Sequence, residues 1–265
     1  MNIQDLIHIF ETLGIGKGDN VLVSSDVMRL LQYLCADDRK KLRSSKAKAA
    51  ILDEIIDGLQ KLVGEDGTLL FPTYNWGFCH GETFDYCKTQ GLTGMLSNQA
   101  LSRNDFKRTK HPIYSFAVWG KGTNELERLE NIESFSQDSP FAWLHRNNGK
   151  NLTIDASLYF TFMHYVEESC GMTYRFIKNF TSQYIDKNGV EETRTYSMYV
   201  RDLDLVVTYD QDLYESYLKS LNVMRSVNVY DMNFDVTELS KAYPYLKDDM
   251  INNKSGNIIK SIERV

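Results

Sequence analysis

The first seventy residues alternate between two hydrophobic patterns, and that alternation restricts the fold more than any other feature of the chain. Residues 2–13 carry Ile3, Leu6, Ile7, Phe10 and Leu13 on one helical face, with Asn2 placed to cap it. Gly14 to Gly18 ends this helix, and Asn20–Val21–Leu22–Val23–Ser24 reads as a short buried strand. Lys46 to Val63 returns to near-helical spacing through Ile51, Ile55, Leu59 and Leu62. Gly64–Glu65–Asp66–Gly67 is turn chemistry, and Thr68–Leu69–Leu70–Phe71 is a second strand, ended by Pro72. Helix, strand, helix, strand with short connections predicts a layered α/β sheet with flanking helices and parallel neighbours.

The rest of the chain is less regular. Residues 74–92 set Trp76, Phe78, Phe84 and Tyr86 among glycines and polar residues, as an ordered loop. Ile113–Trp119 and Asn151–Asp155 read as strands, and Phe160–Ser169 as a helix. Ser139–Pro140 is a helix start, a cap followed by Pro at the first helical position. From Thr181 the pattern changes, and Asp186–Lys187–Asn188–Gly189 is a hairpin turn between 182–185 and 193–200. Residues 210–265 alternate short helical and strand-like segments with no flexible linker. The expected division is a core over 1–180 and a packed C-terminal hairpin and α+β extension over 181–265.

Composition removes several functions. A formal net charge of -6 disfavours sequence-independent nucleic-acid binding, which needs surplus Lys and Arg. Four Cys without short paired spacing disfavour a disulfide framework. The start Met-Asn-Ile-Gln-Asp-Leu lacks the basic residues of a signal peptide, and no apolar run approaches the roughly 20 residues of a membrane span. The expectation is a cytoplasmic protein without membrane partner, monomeric or homodimeric. Cys79-His80 with Cys87 matches no standard zinc spacing, so no metal is expected. Gly14-x-Gly16-x-Gly18 follows a helix and precedes a strand, the reverse of a dinucleotide fingerprint, and reads as a helix cap and turn. The Gly-x-Ser-x-Gly nucleophile elbow is absent.

Among the five histidines, His164 is the informative one. It lies in Phe160-Thr161-Phe162-Met163-His164-Tyr165-Val166-Glu167-Glu168, so a helix puts Glu167 one turn further on. A carboxylate there holds one imidazole tautomer and stabilises the imidazolium, the arrangement of an oriented general base. Spacing alone is met equally by a core histidine bound to a carbonyl.

In order along the chain stand Gly18-Asp19-Asn20-Val21-Leu22-Val23-Ser24-Ser25, Gly67-Thr68-Leu69-Leu70-Phe71-Pro72-Thr73, Phe84-Asp85 and Gly94-Met95-Leu96. Arg108-Thr109-Lys110-His111-Pro112-Ile113-Tyr114-Ser115-Phe116-Ala117, Asp138-Ser139-Pro140-Phe141 and His164-Tyr165-Val166-Glu167 follow. Across roughly residues 5–180 this set resembles the aminoglycoside 3-N-acetyltransferase (antibiotic N-acetyltransferase) family. The resemblance implies an α/β scaffold distinct from the GNAT fold and acetyl-CoA, or another acyl-CoA, as co-substrate. It implies direct transfer of the acyl group to an amine, with His164 as general base and Glu167 as its orienter. Ser24, Ser25, Thr73, Ser115 and Phe116 would line the cofactor arm, with Ser115 or backbone N–H groups facing the oxyanion. Of two basic stretches, residues 39–48 and 103–110, the second is favoured for CoA phosphates through Arg108 and Lys110. Tyr74, Asp85 and Asp155 are the candidate acceptor contacts, with a turn cap the equal alternative for Asp155.

Phe71-Pro72-Thr73-Tyr74-Asn75-Trp76 and Tyr196-Ser197-Met198-Tyr199-Val200-Arg201-Asp202 also resemble a branch found in surface-polysaccharide gene sets. An amino sugar is therefore an acceptor class beside aminoglycosides, so antibiotic resistance and polysaccharide biosynthesis are both in view. Two departures bear on the acceptor. Ser24 stands where the family usually has His, with Asp26 replacing a Ser, and Leu152–Ser157 replaces a Gly-containing turn. A homologue that binds CoA or a sugar without turnover is the alternative. Residues 202–250 hold ten acidic and four basic residues, which accounts for the whole net charge of -6. That acidity is read as a solvated surface; over an acceptor site it would favour a cationic amine.

Overall fold

The computed structural model describes residues 1–156 and 160–265. It begins as the periodicity predicts, with helix α1 (Ile3–Thr12) and strand β1 (Asn20–Ser25). The Asn2 side chain accepts from Asp5 N, and Asp5 answers from the backbone of Asn2, a complete capping box. A short helix not foreseen in the sequence, α2 (Met28–Leu34), leads to α3 (Ser45–Val63) and β2 (Thr68–Pro72). The aromatic loop holds β3 (Phe84–Asp85) and precedes α4 (Met95–Ser102), β4 (Lys107–Arg108) and β5 (Phe116–Gly120). After α5 (Thr123–Arg128) comes α6 (Pro140–Arg146), which starts on the Ser139 cap with Pro140 in its first turn. Then follow β6 (Lys150–Ile154) and α7 (Phe162–Cys170). The C-terminal half contains β7 (Arg175–Ile185), β8 (Glu191–Arg201), β9 (Leu205–Tyr209) and α8 (Gln211–Ser220). It closes with β10 (Met224–Val229), β11 (Met232–Glu238), α9 (Leu239–Asn252) and β12 (Ile259–Arg264).

The central sheet has seven strands in the order β10-β11-β6-β1-β2-β5-β4. β1 runs parallel to β2 and to β6, and the outer pairings are antiparallel. Alternate β1 residues face opposite layers: Val21 and Val23 belong to the core that holds Leu6, Phe10, Ile55 and Leu59, while Leu22 belongs to the one that holds Phe116 and Phe141. Residues beyond 181 do not form a separate layer only. β11 inserts its backbone against β6, so the sheet that carries the N-terminal motifs is completed from the far end of the chain. Ser157, in the departure after β6, lies outside the described residues.

β5 is shorter than the expected 113–119 because His111 bends the chain before it. His111 Nδ1 accepts the backbone N–H of Ile113 at 3.2 Å and of Tyr114 at 3.1 Å. Its Nε2 lies 3.2 Å from the Ile132 carbonyl, to which it donates as the neutral Nε2–H tautomer. Burial pushes this imidazole down to about 4 from an ordinary 6.5. Between those values the unfolded chain binds the extra proton, so stability falls as pH falls, by about 1.4 kcal/mol per pH unit from this group. Urea unfolding measured between pH 7 and pH 4 checks this, and His111→Asn is expected to flatten that part of the curve.

Candidate active site

α7 presents His164 and Glu167 one turn apart, with His164 Nδ1 2.7 Å from Glu167 Oε2. Glu167 is wholly buried, and its carboxylate takes three side-chain hydrogen bonds, from His164, Tyr174 and Tyr209. Arg175 Nε lies 2.7 Å from Oε2 as an ion pair, and the Tyr174 hydroxyl donates to Oε1 at 3.0 Å. The Tyr209 hydroxyl makes a short hydrogen bond to the same Oε1. Burial alone would raise the Glu167 carboxyl, but His164, Arg175 and Tyr209 together hold it below its ordinary value. An anionic Glu167 accepts from Nδ1–H, which leaves His164 Nε2 as a proton acceptor. The imidazole packs edge-on against Phe135 at 5.5 Å between ring centres, which limits its rotation.

Two cavities meet at this imidazole. One, of about 460 Å³, is walled by Ser24, Ser25, Tyr74, Trp76, Gly94 and Tyr114, with Thr161 and His164 at its end. Gly94 has φ of 109°, a backbone turn open to glycine, and delivers the start of α4 to this wall. The other, of about 450 Å³, is walled by Phe160, Thr161, His164, Arg175, Tyr209 and Tyr214 together with Asp210, Glu215 and Asp235. Thr161 and His164 belong to both. Groups held in the two cavities would therefore meet beside one imidazole.

The structure brings Ser24, Ser25, Tyr74, His164 and Glu167 together and takes the other sequence candidates elsewhere. Thr73 and Ser115 are buried against each other, 2.9 Å between hydroxyls, and Ser115 Oγ also donates to the Thr73 carbonyl at 3.0 Å. Ser115 is therefore occupied as structure rather than aimed at an oxyanion. Phe116 is core, edge-on to Tyr74 and Phe141. Arg108 is buried, its Nε 3.1 Å from Ser115 Oγ and its Nη1 3.1 Å from the Tyr86 carbonyl. Its guanidinium stacks 4.6 Å above Phe84, and desolvation lowers its pKa to about 10, so it ties down the aromatic loop instead of meeting CoA phosphates. Lys110 pairs with Glu130, and Arg103 with Asp53, Asp57 and Asp105. The other basic stretch, Arg39 to Lys48, makes no ion pair among the described residues. Asp85 closes a turn by accepting from Cys87 N at 2.9 Å and Lys88 N at 3.1 Å. Asp155 is held by Arg29, whose Nε lies 2.6 Å from its Oδ2.

Three of the ten acids in residues 202–250 line the second cavity, so that acidity is not only a solvated surface. Burial raises the Asp235 carboxyl above its ordinary value. Arg175 and Tyr209 were not foreseen in the sequence, and the acidity of 202–250 was read as a solvated surface with an acceptor wall as the alternative, because β7, β9 and α8 reach α7 only through tertiary packing. No local spacing marks them.

A family model described as aminoglycoside 3-N-acetyltransferase matches residues 40–250. A curated relative, the SPbeta prophage-derived aminoglycoside N(3')-acetyltransferase-like protein YokD of Bacillus subtilis (strain 168), is 24% identical over 97% of this chain and 95% of its own. Among solved structures, aminoglycoside acetyltransferase AAC(3)-Xa superposes with a TM-score of 0.75 at 17% identity, over 96% of this chain and 94% of that one. The AAC-IIIb binary complex with CoASH gives 0.74 at 17% identity, over 96% and 97%. These superpositions establish the shared fold. The chain belongs to the aminoglycoside 3-N-acetyltransferase family, a family of acyl-CoA-dependent enzymes.

Proposed function

We propose that the chain moves an acetyl group from acetyl-CoA to an amine of an aminoglycoside or related amino sugar by direct attack, with His164 as general base. The observation that carries this reading is the place of His164, at the meeting of two cavities with Nδ1 held by a buried carboxylate. Amines are mostly cationic at neutral pH, and only the unprotonated form attacks a thioester. His164 Nε2 takes the proton as the amine nitrogen bonds to the carbonyl carbon, and the imidazolium then supplies a proton to the departing thiolate. A positioned base of this kind contributes about 10²–10⁴-fold. No acyl-enzyme is needed. Cys170, the nearby thiol, is pushed up by burial and is a poor nucleophile at neutral pH.

The first cavity suits a thioester arm: Tyr74, Trp76 and Tyr114 share its wall with Val27, Leu92 and Met95, and the Ser24 and Ser25 segment at the end of β1 rims it. The second suits a cationic acceptor. Asp210 and Asp235 face it beside Glu215, which is paired with Lys219 at 2.9 Å, whereas the Arg175 charge is already matched by Glu167. This favours a polycationic aminoglycoside over an anionic nucleotide-linked amino sugar. Thiol release from acetyl-CoA, scanned over both acceptor classes, tests the reading. Aminoglycosides are expected to be turned over, and turnover confined to nucleotide-linked sugars would reverse the acceptor assignment. Asp235→Asn is expected to raise KM for the aminoglycoside by about tenfold, the worth of one charge-assisted hydrogen bond, while KM for acetyl-CoA stays within twofold (about).

A further inference from the structure

Glu167 is clamped by more than a general base requires, and the clamp comes from the acceptor side. Arg175 Nη2 donates to the Tyr209 hydroxyl at 3.1 Å, while that hydroxyl donates onward to Glu167 Oε1. Arg175 Nε lies 2.7 Å from Oε2 as an ion pair without a hydrogen bond, so the third side of this cluster is held by charge. Arg175 opens β7 and Tyr209 ends β9, where β12 pairs with it through Ile259. Both residues also line the acceptor cavity, beside Asp210 and Tyr214.

We propose that Arg175 and Tyr209 are positioning residues for acyl transfer, which hold Glu167 anionic and thereby fix His164 in the tautomer that can accept a proton. The inference rests on the reading of His164 as base. Its logic is that of a carboxyl in a dry site. A protonated Glu167 would donate to Nδ1, place the imidazole proton on Nε2, and leave no lone pair toward the amine. Removing a donor from the carboxylate raises the proton affinity of the coupled His164–Glu167 pair. Tyr174 on the loop before β7 is the remaining hydroxyl donor to Oε1. Tyr114, Cys170 and Tyr199 face the same carboxylate from further off, without a hydrogen bond to it among the described residues. Glu168, the next residue of α7, is pushed up to about 7 by burial and by the neighbouring Glu133 charge.

The test is the pH profile of kcat/KM for the aminoglycoside, read by thiol release with acetyl-CoA saturating, for wild type, Tyr209→Phe and His164→Ala. Tyr209→Phe is expected to move the acid limb to higher pH by about one unit, with the alkaline plateau lowered only about threefold. A profile that superposes on wild type, or falls uniformly without displacement, overturns the positioning role. Tyr174→Phe removes the other hydroxyl from the same oxygen and gives the same readout if Tyr209→Phe does not fold. His164→Ala separates the two failures. If it abolishes turnover while the phenylalanine profile stays put, only the clamp is refuted. If it leaves turnover intact, the base assignment itself falls.

Discussion

Replacing His164 with alanine is expected to lower kcat/KM for the acceptor by about 10²–10⁴-fold while leaving acetyl-CoA binding within about twofold. The size follows from what the imidazole does. It is half-buried, with its Nδ1 fixed on Glu167 and its free nitrogen at the meeting of two cavities, so its loss removes proton transfer without emptying either binding wall. Fold should survive, because His164 makes one side-chain hydrogen bond and one ring contact among the described residues. Steady-state rates at saturating acetyl-CoA, with CoA affinity by calorimetry, check both halves. Equal loss in kcat and in kcat/KM is the signature of an interaction made only in the transition state.

Glu167→Ala is expected to be more damaging than its distance from the acceptor suggests. The substitution strands the Arg175 guanidinium, which is 10% exposed, and removes the acceptor of two tyrosine hydroxyls. Breaking a buried pair by deleting one partner costs about 3–5 kcal/mol. Stability should therefore fall by that amount at neutral pH, and activity with it. Glu167→Gln keeps the shape but turns an amide N–H₂ toward groups that are themselves donors, so it too should destabilise and slow the enzyme. The pH dependence has a definite sign. The folded Glu167 carboxyl lies below its ordinary 4.5, so its contribution is complete above that value and is lost as pH falls through the folded value. Urea unfolding should show a gap between wild type and Glu167→Gln that is widest near pH 7 and closes in acid.

Much of the scaffold was legible because its residues act locally. Asn2 caps α1, Ser139 and Pro140 start α6, and Val21 to Val23 form a buried run that only a strand between helices accommodates. The His164–Glu167 pair was legible for the same reason, since three residues on a helix are neighbours wherever the helix goes. What failed to show was long-range. Arg108 and Lys110 look like phosphate ligands by charge, but charge type does not reveal that one guanidinium is buried under the Tyr86 carbonyl and the other cation is paired with Glu130. Asp155 likewise reads as an acceptor contact until Arg29 is seen to occupy it. The acidic run after residue 202 carried the right charge for a cationic substrate, yet only the packing of β9, α8 and β11 onto α7 turns Asp210, Glu215 and Asp235 into one wall. Acidity first used to exclude nucleic acid thus supports the proposed preference for a cationic acceptor.

The most direct measurement mixes wild type or His164→Ala with acetyl-CoA and an aminoglycoside, then follows thiol release and the masses of acceptor and protein together. Thiol released in step with acetylated aminoglycoside by the wild type, no acetyl group retained on the protein, and near-complete loss in His164→Ala is the predicted result. Thiol released without acetylated acceptor, an acetylated protein intermediate, or undiminished transfer by His164→Ala contradicts direct, His164-assisted attack.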